Sequence, residues 1–381
     1  MPAIEQGPIR PPSEAHSLLL RVTRNCSWNQ CEFCHIYKGQ RFSLRTVEEV
    51  KKDIEAIREI VSEITSLSWH QGLGGKITSE FAGSVLNRPL QYPEGYRSVL
   101  LWLYTGARNV FLQDANNLVH RSKDLVEILH YLKEVFPSVQ RVTTYSRART
   151  VSRKSVEELR DLHNAGLSRI HIGLESGYDP LLKYVQKGVT AREHIEAGRK
   201  VKEAGISLSE YIMPGLGGKS MWKEHAVETA RVLSQINPDF IRVRTLKALR
   251  IMPLYRKIES GEMELLSDDE IITEEKLLIE NLDGITSQFA SDHVLNLLEE
   301  LEGTFPEAKE RMLATIDRYL SLPKSERDNF RLGRRAGYYR SLNDLANPDL
   351  RIRVDRILNR IETENPGSLD EVISNLMEAF L

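Results

Sequence analysis

Between residues 17 and 246 the chain repeats one pattern: a short apolar run, an amphipathic stretch, then another apolar run. The runs fall at 17–23, 109–113, 141–145, 169–174, 206–213 and 240–246. Runs this short, with much β-branched content, read as strands. The intervening stretches at 46–67, 123–136, 155–165, 191–204 and 219–235 carry apolar residues at helical spacing. In the first of them Val47, Val50, Ile54, Ile57, Ile60 and Val61 share one side. Regular strand-then-helix alternation implies parallel strands. Six such units predict an α/β fold, a partial (β/α)6 barrel, with a doubly wound open sheet as the alternative.

The flanks break this rhythm. Residues 1–16 hold Pro2, Pro8, Pro11 and Pro12 and read as an extended lead-in. Residues 70–93, with a GLGG run, Pro89 and Pro93, read as an inserted loop. Beyond residue 247 strand signals stop, and helical stretches are expected around 307–321, 327–341, 349–362 and 369–380. Residues 247–381 therefore read as a helical C-terminal extension that caps the barrel and contributes to a substrate pocket. The stretch 262–300 sets one lysine, Lys276, against a dozen carboxylates. It is expected to stay away from an anionic ligand, because like charges repel.

The cysteine count narrows the chemistry. There are three, Cys26, Cys31 and Cys34, all in one loop after the first strand. An odd, clustered set argues against a disulfide framework and for one site needing three thiolates. Three thiolates can hold three irons of a [4Fe–4S] cube and leave the fourth open to a small ligand. The alternative is a zinc site with His35 as fourth ligand, in a non-catalytic scaffold or nucleic-acid adaptor. His35 directly follows Cys34, which makes it awkward for both to bind one ion. Parallel barrels place ligands at the C-terminal strand ends. Here those ends carry the cysteine loop, Gln113-Asp114-Ala115-Asn116-Asn117, Ser146-Arg147, Glu175-Ser176-Gly177, Pro214-Gly215 and Arg244-Thr245.

Taken together, these motifs resemble the radical S-adenosylmethionine (radical SAM) superfamily, over roughly residues 17–246. The branch resembled contains oxygen-independent coproporphyrinogen oxidase and the methylthiotransferase cores. The resemblance implies a [4Fe–4S] cluster on Cys26, Cys31 and Cys34, with SAM on the open iron. It implies reductive cleavage of SAM to a 5′-deoxyadenosyl radical that abstracts hydrogen from a substrate. Phe33 holds the aromatic position near the adenine. The usual first gap between cysteines has three residues, and this chain has four. By the same resemblance Gln113, Asp114 and Ala115 meet the methionine amino group, and Ser146 stands at the third strand end. The GLESG motif brings Glu175 to SAM, and Lys187, twelve positions on, meets the methionine carboxylate. Met213 and Gly215, in YIMPGLGG, approach adenine. The plain readings of these residues are a turn, a helix cap and a surface lysine.

The substrate is less legible. The segment 327–340 holds five arginines and two tyrosines, and Arg331, Arg334, Arg335 and Tyr339 could clamp a carboxylate or phosphate. Its alternative is a solvated amphipathic helix. Ser291-Asp292-His293 offers a neighbouring acid and base. The expected partners are a small molecule with an anionic group and an electron donor such as flavodoxin or ferredoxin. A net charge of −2 and a pI of about 6.6 argue against nucleic acid. No apolar run nears the ~20 residues of a membrane-spanning helix. No secretory signal is visible at the start, so the cytoplasm is the expected compartment.

Overall fold

The computed structural model describes residues 4–87 and 94–379. The chain divides into two compact units. The first comprises Met1–Asn29, Ile36–Ile172 and Glu196–Leu208, the second Gln30–His35, Gly173–Ile195 and Ser209–Leu381. The division passes through the cysteine loop, with Cys26 in the first unit and Cys31 and Cys34 in the second.

In the first unit strand β1 (Leu18–Arg21) leads to a small antiparallel pair, β2 (Thr23–Arg24) with β3 (Ser43–Leu44). Strand β4 (Asn109–Gln113) lies parallel to β1, with Leu18 opposite Val110. Strand β5 (Arg141–Ser146) lies parallel to β4, and β6 (Leu167–Glu175) parallel to β5. The apolar runs build this sheet because Leu18, Leu20, Val110, Phe111, Val142 and Ile170 lose essentially all contact with water. The helix Val47–His70 starts on a capping box, Thr46 with Glu49. It buries Val50, Ile54, Ile57, Ile60 and Ile64, while Val47 and Val61 of the predicted stripe are only half-buried. The lead-in is tied down: Glu14 is fully buried and accepts from Ser17 Oγ at 2.5 Å and from Arg141 Nη2 at 3.1 Å.

In the second unit β7 (Ser207–Ile212), β8 (Phe240–Val243) and β9 (Gln288–Ala290) run parallel, and β10 (Glu302–Thr304) closes the edge antiparallel. Helices Gly218–Ile236 and Asp268–Asn281 pack on each other. Helices Lys309–Ser321, Lys324–Arg335, Pro348–Glu364 and Leu369–Glu378 follow.

The α/β class with parallel strands holds, and six strands, β1 and β4 to β8, alternate with helices as predicted. Four details differ. Strand signals do not stop at 247, because β9 and β10 follow; three residues each are too few for a periodicity to register. The sixth run ends at Val243 rather than 246. A helix, Glu94–Tyr104, fills a stretch the pattern left blank. The expected loop at 70–93 contains the helix Ser79–Leu86, and its residues 88–93, like residues 1–3 of the lead-in, lie outside the described residues.

Candidate functional site

The first unit builds the front of the cysteine loop. Asn25 and Asn29 sit at positive φ, 67° and 51°, where Asn is among the few tolerated residues. Their side chains staple the loop: Asn25 Nδ2 donates to Arg41 O at 2.7 Å and Asn29 Nδ2 to Tyr37 O at 2.5 Å. Cys26 Sγ accepts the Asn29 N–H at 3.5 Å. Next to it, Asn116 is a hub. It donates to Ser27 Oγ at 2.8 Å and Thr150 Oγ1 at 2.9 Å, and accepts from Ser146 Oγ and Arg147 N–H, both at 3.0 Å. The ends of β4 and β5 are thereby locked to the residue after Cys26. Ser146 takes part in this network. Gln113 does not: its amide is spent on the lead-in, accepting from Gly7 N–H at 2.8 Å and donating to Gly7 O and Ile9 O. Asp114, at φ 75°, is paired with Arg21 Nε at 2.6 Å. Burial raises its pKa against the pull of Arg21. Ala115 offers backbone alone, half-buried between Asp114 and Asn116.

The second unit gathers the rest. Phe33, Leu181, Val185, Met213, Leu216, Leu254 and Met263 form an apolar cluster, with Cys31 and Cys34 packed against it. Lys187 Nζ lies 5.5 Å from the Phe33 ring centroid and donates to Glu175 Oε1 at 2.8 Å. Glu175 itself is at φ 59°, a sharp exit from β6. Gly173 makes room for the pair, since a Cβ there would strike the Glu175 carboxylate and meet Lys187 Nζ at 3.0 Å. Glu32, inside the cysteine motif, accepts from Gln186 Nε2 at 2.6 Å and pairs with Lys257 at 2.8 Å. Its backbone bonds to Val185 and Leu254 on both sides.

Three residues escaped the sequence reading. Glu210, mid-strand in β7, is fully buried, and among the described residues neither carboxyl oxygen has a hydrogen-bond partner. Burial drives its pKa well up, with Lys187 pulling the other way and Glu175 adding to the rise. A Glu in the middle of an apolar run was the available signal. His225 joins two turns: its Nδ1 faces Ser176 Oγ at 2.9 Å and its Nε2 faces Met213 O at 3.1 Å. The carbonyl requires Nε2–H, and burial lowers the pKa to about 4, so the ring is neutral at pH 7. Glu274 Oε2 accepts the Gly215 N–H at 2.6 Å, and burial pushes its pKa up to about 8. Glu274 belongs to the acidic stretch expected to stay away. Burial favours its neutral form, which repels nothing, so this carboxyl can buttress the 213–215 turn.

The basic segment is committed elsewhere. Arg331 and Arg335 both pair with Asp268, at 3.0 and 3.1 Å, and Arg334 pairs with Glu299 at 2.9 Å. Tyr339 is buried, stacks on Phe330 and donates to Asn329 Oδ1 at 2.8 Å. Among the described residues no three His, Cys, Asp or Glu side chains are gathered as a metal site. The donor set nevertheless suits an iron–sulfur cluster: three thiols, none in a disulfide, one already accepting a backbone N–H. It suits zinc less well. Arg244 adds to the burial that lowers His35's proton affinity, and the same positive charge opposes a cation on that ring.

Residues 20–230, more than half of the 381-residue chain, match the family model described as the Radical SAM superfamily. A tRNA uridine(34) acetyltransferase of Methanocaldococcus infernus is 25% identical over 124 residues, 31% of this chain and 22% of that protein. The chain thus spans about a fifth of that relative's length. Among solved structures, methylornithine synthase aligns with a TM-score of 0.42 at 17% identity, covering 72% of this chain and 64% of that one. Coproporphyrinogen III oxidase from Escherichia coli aligns with a TM-score of 0.44 at 14% identity, covering 69% and 50%.

Proposed function

The chain belongs to the radical SAM superfamily, and we propose that it cleaves SAM reductively and uses the resulting radical to abstract hydrogen from a small molecule. It is a radical SAM enzyme, and membership implies a [4Fe–4S] cluster and SAM. When bound, the cluster supplies one electron, and SAM supplies as its 5′-deoxyadenosyl fragment the species that takes hydrogen from a substrate. Cys26, Cys31 and Cys34 are the proposed ligands, held in a loop whose ends are stapled by Asn25 and Asn29. An electron donor such as flavodoxin or ferredoxin is part of this proposal. Among the described residues no helix is long and apolar enough to cross a membrane.

The observation that supports the reading most is the convergence of Cys31, Phe33, Cys34, Glu175, Lys187 and Met213 within one unit. Glu175 and Lys187 present a carboxylate and an ammonium side by side, the complement of an amino acid's own charged ends. Phe33 and Met213 add apolar surface suited to a flat base. Glu210, kept protonated, can both donate and accept a hydrogen bond. Its lack of a protein partner suits contact with a ligand. His225 and Glu274 fix the turns that carry Ser176, Met213 and Gly215. Asn116 and Ser146 do the same for the start of the cysteine loop.

Anaerobic preparation tests the proposal. A brown, iron-loaded protein that forms 5′-deoxyadenosine from SAM on reduction is the expected result, whereas a colourless protein carrying zinc would defeat it. A second expectation concerns Lys187. A charge-assisted hydrogen bond contributes about 1.5–3 kcal/mol, or one to two decades in affinity. Lys187→Ala should weaken SAM binding by about ten- to a hundredfold and leave the cluster spectrum intact. Unchanged SAM affinity in a titration would return Lys187 to a structural role as the partner of Glu175.

A further inference from the structure

Arg244 stands one residue beyond β8, its backbone N–H donating to Ile212 O at 3.0 Å. Its side chain is half-buried, and among the described residues it has no ion-pair or hydrogen-bond partner. The contrast with Arg242, two residues earlier, is sharp: that guanidinium takes Asp292 at 2.9 Å. Asp292, two residues beyond β9, is thereby engaged by Arg242.

One imidazole lies beside Arg244 at this end of the sheet. His293 follows β9, which runs beside β8 with Arg242 opposite Ala290, so Arg244 and His293 leave the sheet at the same end. Burial first, then the charge of Arg244, lower the pKa of His293 to about 4. The ring is therefore neutral at pH 7. Its Nδ1 accepts the Leu295 N–H at 3.2 Å, which leaves Nε2 carrying the hydrogen as a donor.

The frame around these groups is rigid. Asn296 Oδ1 accepts from the Thr245 N–H at 2.9 Å and Thr245 Oγ1 at 3.0 Å, and Asn296 Nδ2 donates to Val243 O at 2.8 Å. Arg335 Nη1 donates to Leu295 O at 2.8 Å and Val294 O at 3.3 Å. The loop carrying His293 is thus bolted to the strand end carrying Arg244. A half-buried cation without a counter-charge is costly unless something anionic joins it. A guanidinium fork matches the paired oxygens of a carboxylate or phosphate, and the His293 imidazole N–H extends the set of donors.

We propose that Arg244, with His293, forms an oxyanion-binding subsite that holds a carboxylate or phosphate group of the substrate. The inference rests on the radical SAM reading, in which ligands meet the C-terminal ends of the parallel strands, and it deepens that reading by naming a substrate class. It also reassigns the anion-holding role from Arg331, Arg334 and Arg335, which are consumed by Asp268 and Glu299, to an arginine that is not. Arg335 becomes a positioning residue for the His293 loop.

The test titrates the cluster-loaded full chain by calorimetry with inorganic phosphate, with succinate and with SAM. One of the two anions should bind; phosphate alone indicates a phosphate ester as substrate, succinate alone a carboxylic acid. Arg244→Gln should lower that anion's affinity by about tenfold or more while SAM affinity is unchanged. Arg244→Lys, which keeps charge and loses the fork, should fall in between, and His293→Gln should weaken anion binding too. Circular dichroism and the cluster spectrum of each variant separate these effects from misfolding. Failure of both anions to bind the unmodified protein, or equal binding to Arg244→Gln, would overturn the proposal. So would a matching loss of SAM affinity, which would assign Arg244 to the methionine carboxylate instead. A wild-type chain that takes up no iron would sink the radical SAM reading and leave the anion titration still readable.

Discussion

Replacing any one of Cys26, Cys31 or Cys34 by Ala is expected to abolish both iron–sulfur loading and SAM cleavage, the largest effect foreseen for any single substitution. The chain has no other cysteine to take over, so two thiolates would remain for a cluster that needs three. Each thiol is only partly buried, so the loss of packing is small and the fold should survive. Far-ultraviolet circular dichroism close to that of the unmodified chain, with no iron on analysis and no 5′-deoxyadenosine after reduction, is the predicted outcome. Full iron loading and turnover in Cys31→Ala would end the assignment. His35→Ala separates the alternatives further. Under the cluster reading it keeps its iron, whereas a three-cysteine, one-histidine zinc site would lose its metal.

The parallel strands were legible because their burial writes directly into composition. Leu18 to Leu20 and Val110 to Leu112 are apolar throughout because they lose nearly all contact with water. Three-residue strands such as β9 and β10 are too short to carry such an imprint. The site was half legible. Cys31, Phe33, Cys34, Glu175, Lys187 and Met213 were named from motifs, and they come together. Gln113 and Asp114 were named too, but their side chains turn to Gly7 and Arg21, partners about a hundred residues away in sequence that no local pattern could disclose. The surroundings of Glu274 and Arg335 were equally hidden from the sequence. Charge patterning treats every carboxylate as ionised and every arginine as free. Burial makes Glu274 a neutral acid, and Asp268 occupies Arg335.

Asp268→Asn is expected to lower the stability of the folded chain by about 3–5 kcal/mol, the range for breaking one side of a buried ion pair. Asp268 opens the helix Asp268–Asn281, where the helix dipole already favours negative charge. It is nearly buried and holds two guanidiniums, Arg331 and Arg335, on its two oxygens. Burial alone would raise its pKa, but Arg335 and Arg331 together hold it below the usual carboxylate range. The sign follows: a depressed native pKa gives stability that is complete above the unfolded value and lost as acid drives the pH through the native one. Neutralising Asp268 by mutation should therefore mimic acid, and the variant's pH–stability curve should be flatter than the parent's below pH ~4. The paired control is Asp370→Asn. That carboxylate also contacts Arg331, at 2.5 Å, but its side chain is 81% exposed, and an exposed pair contributes about 0–1 kcal/mol. Urea melts of the two variants should differ several-fold in their loss. Equal, small losses would show that solvent or Arg331's other partners compensate, and the Asp268 cluster would no longer explain how the His293 loop is held.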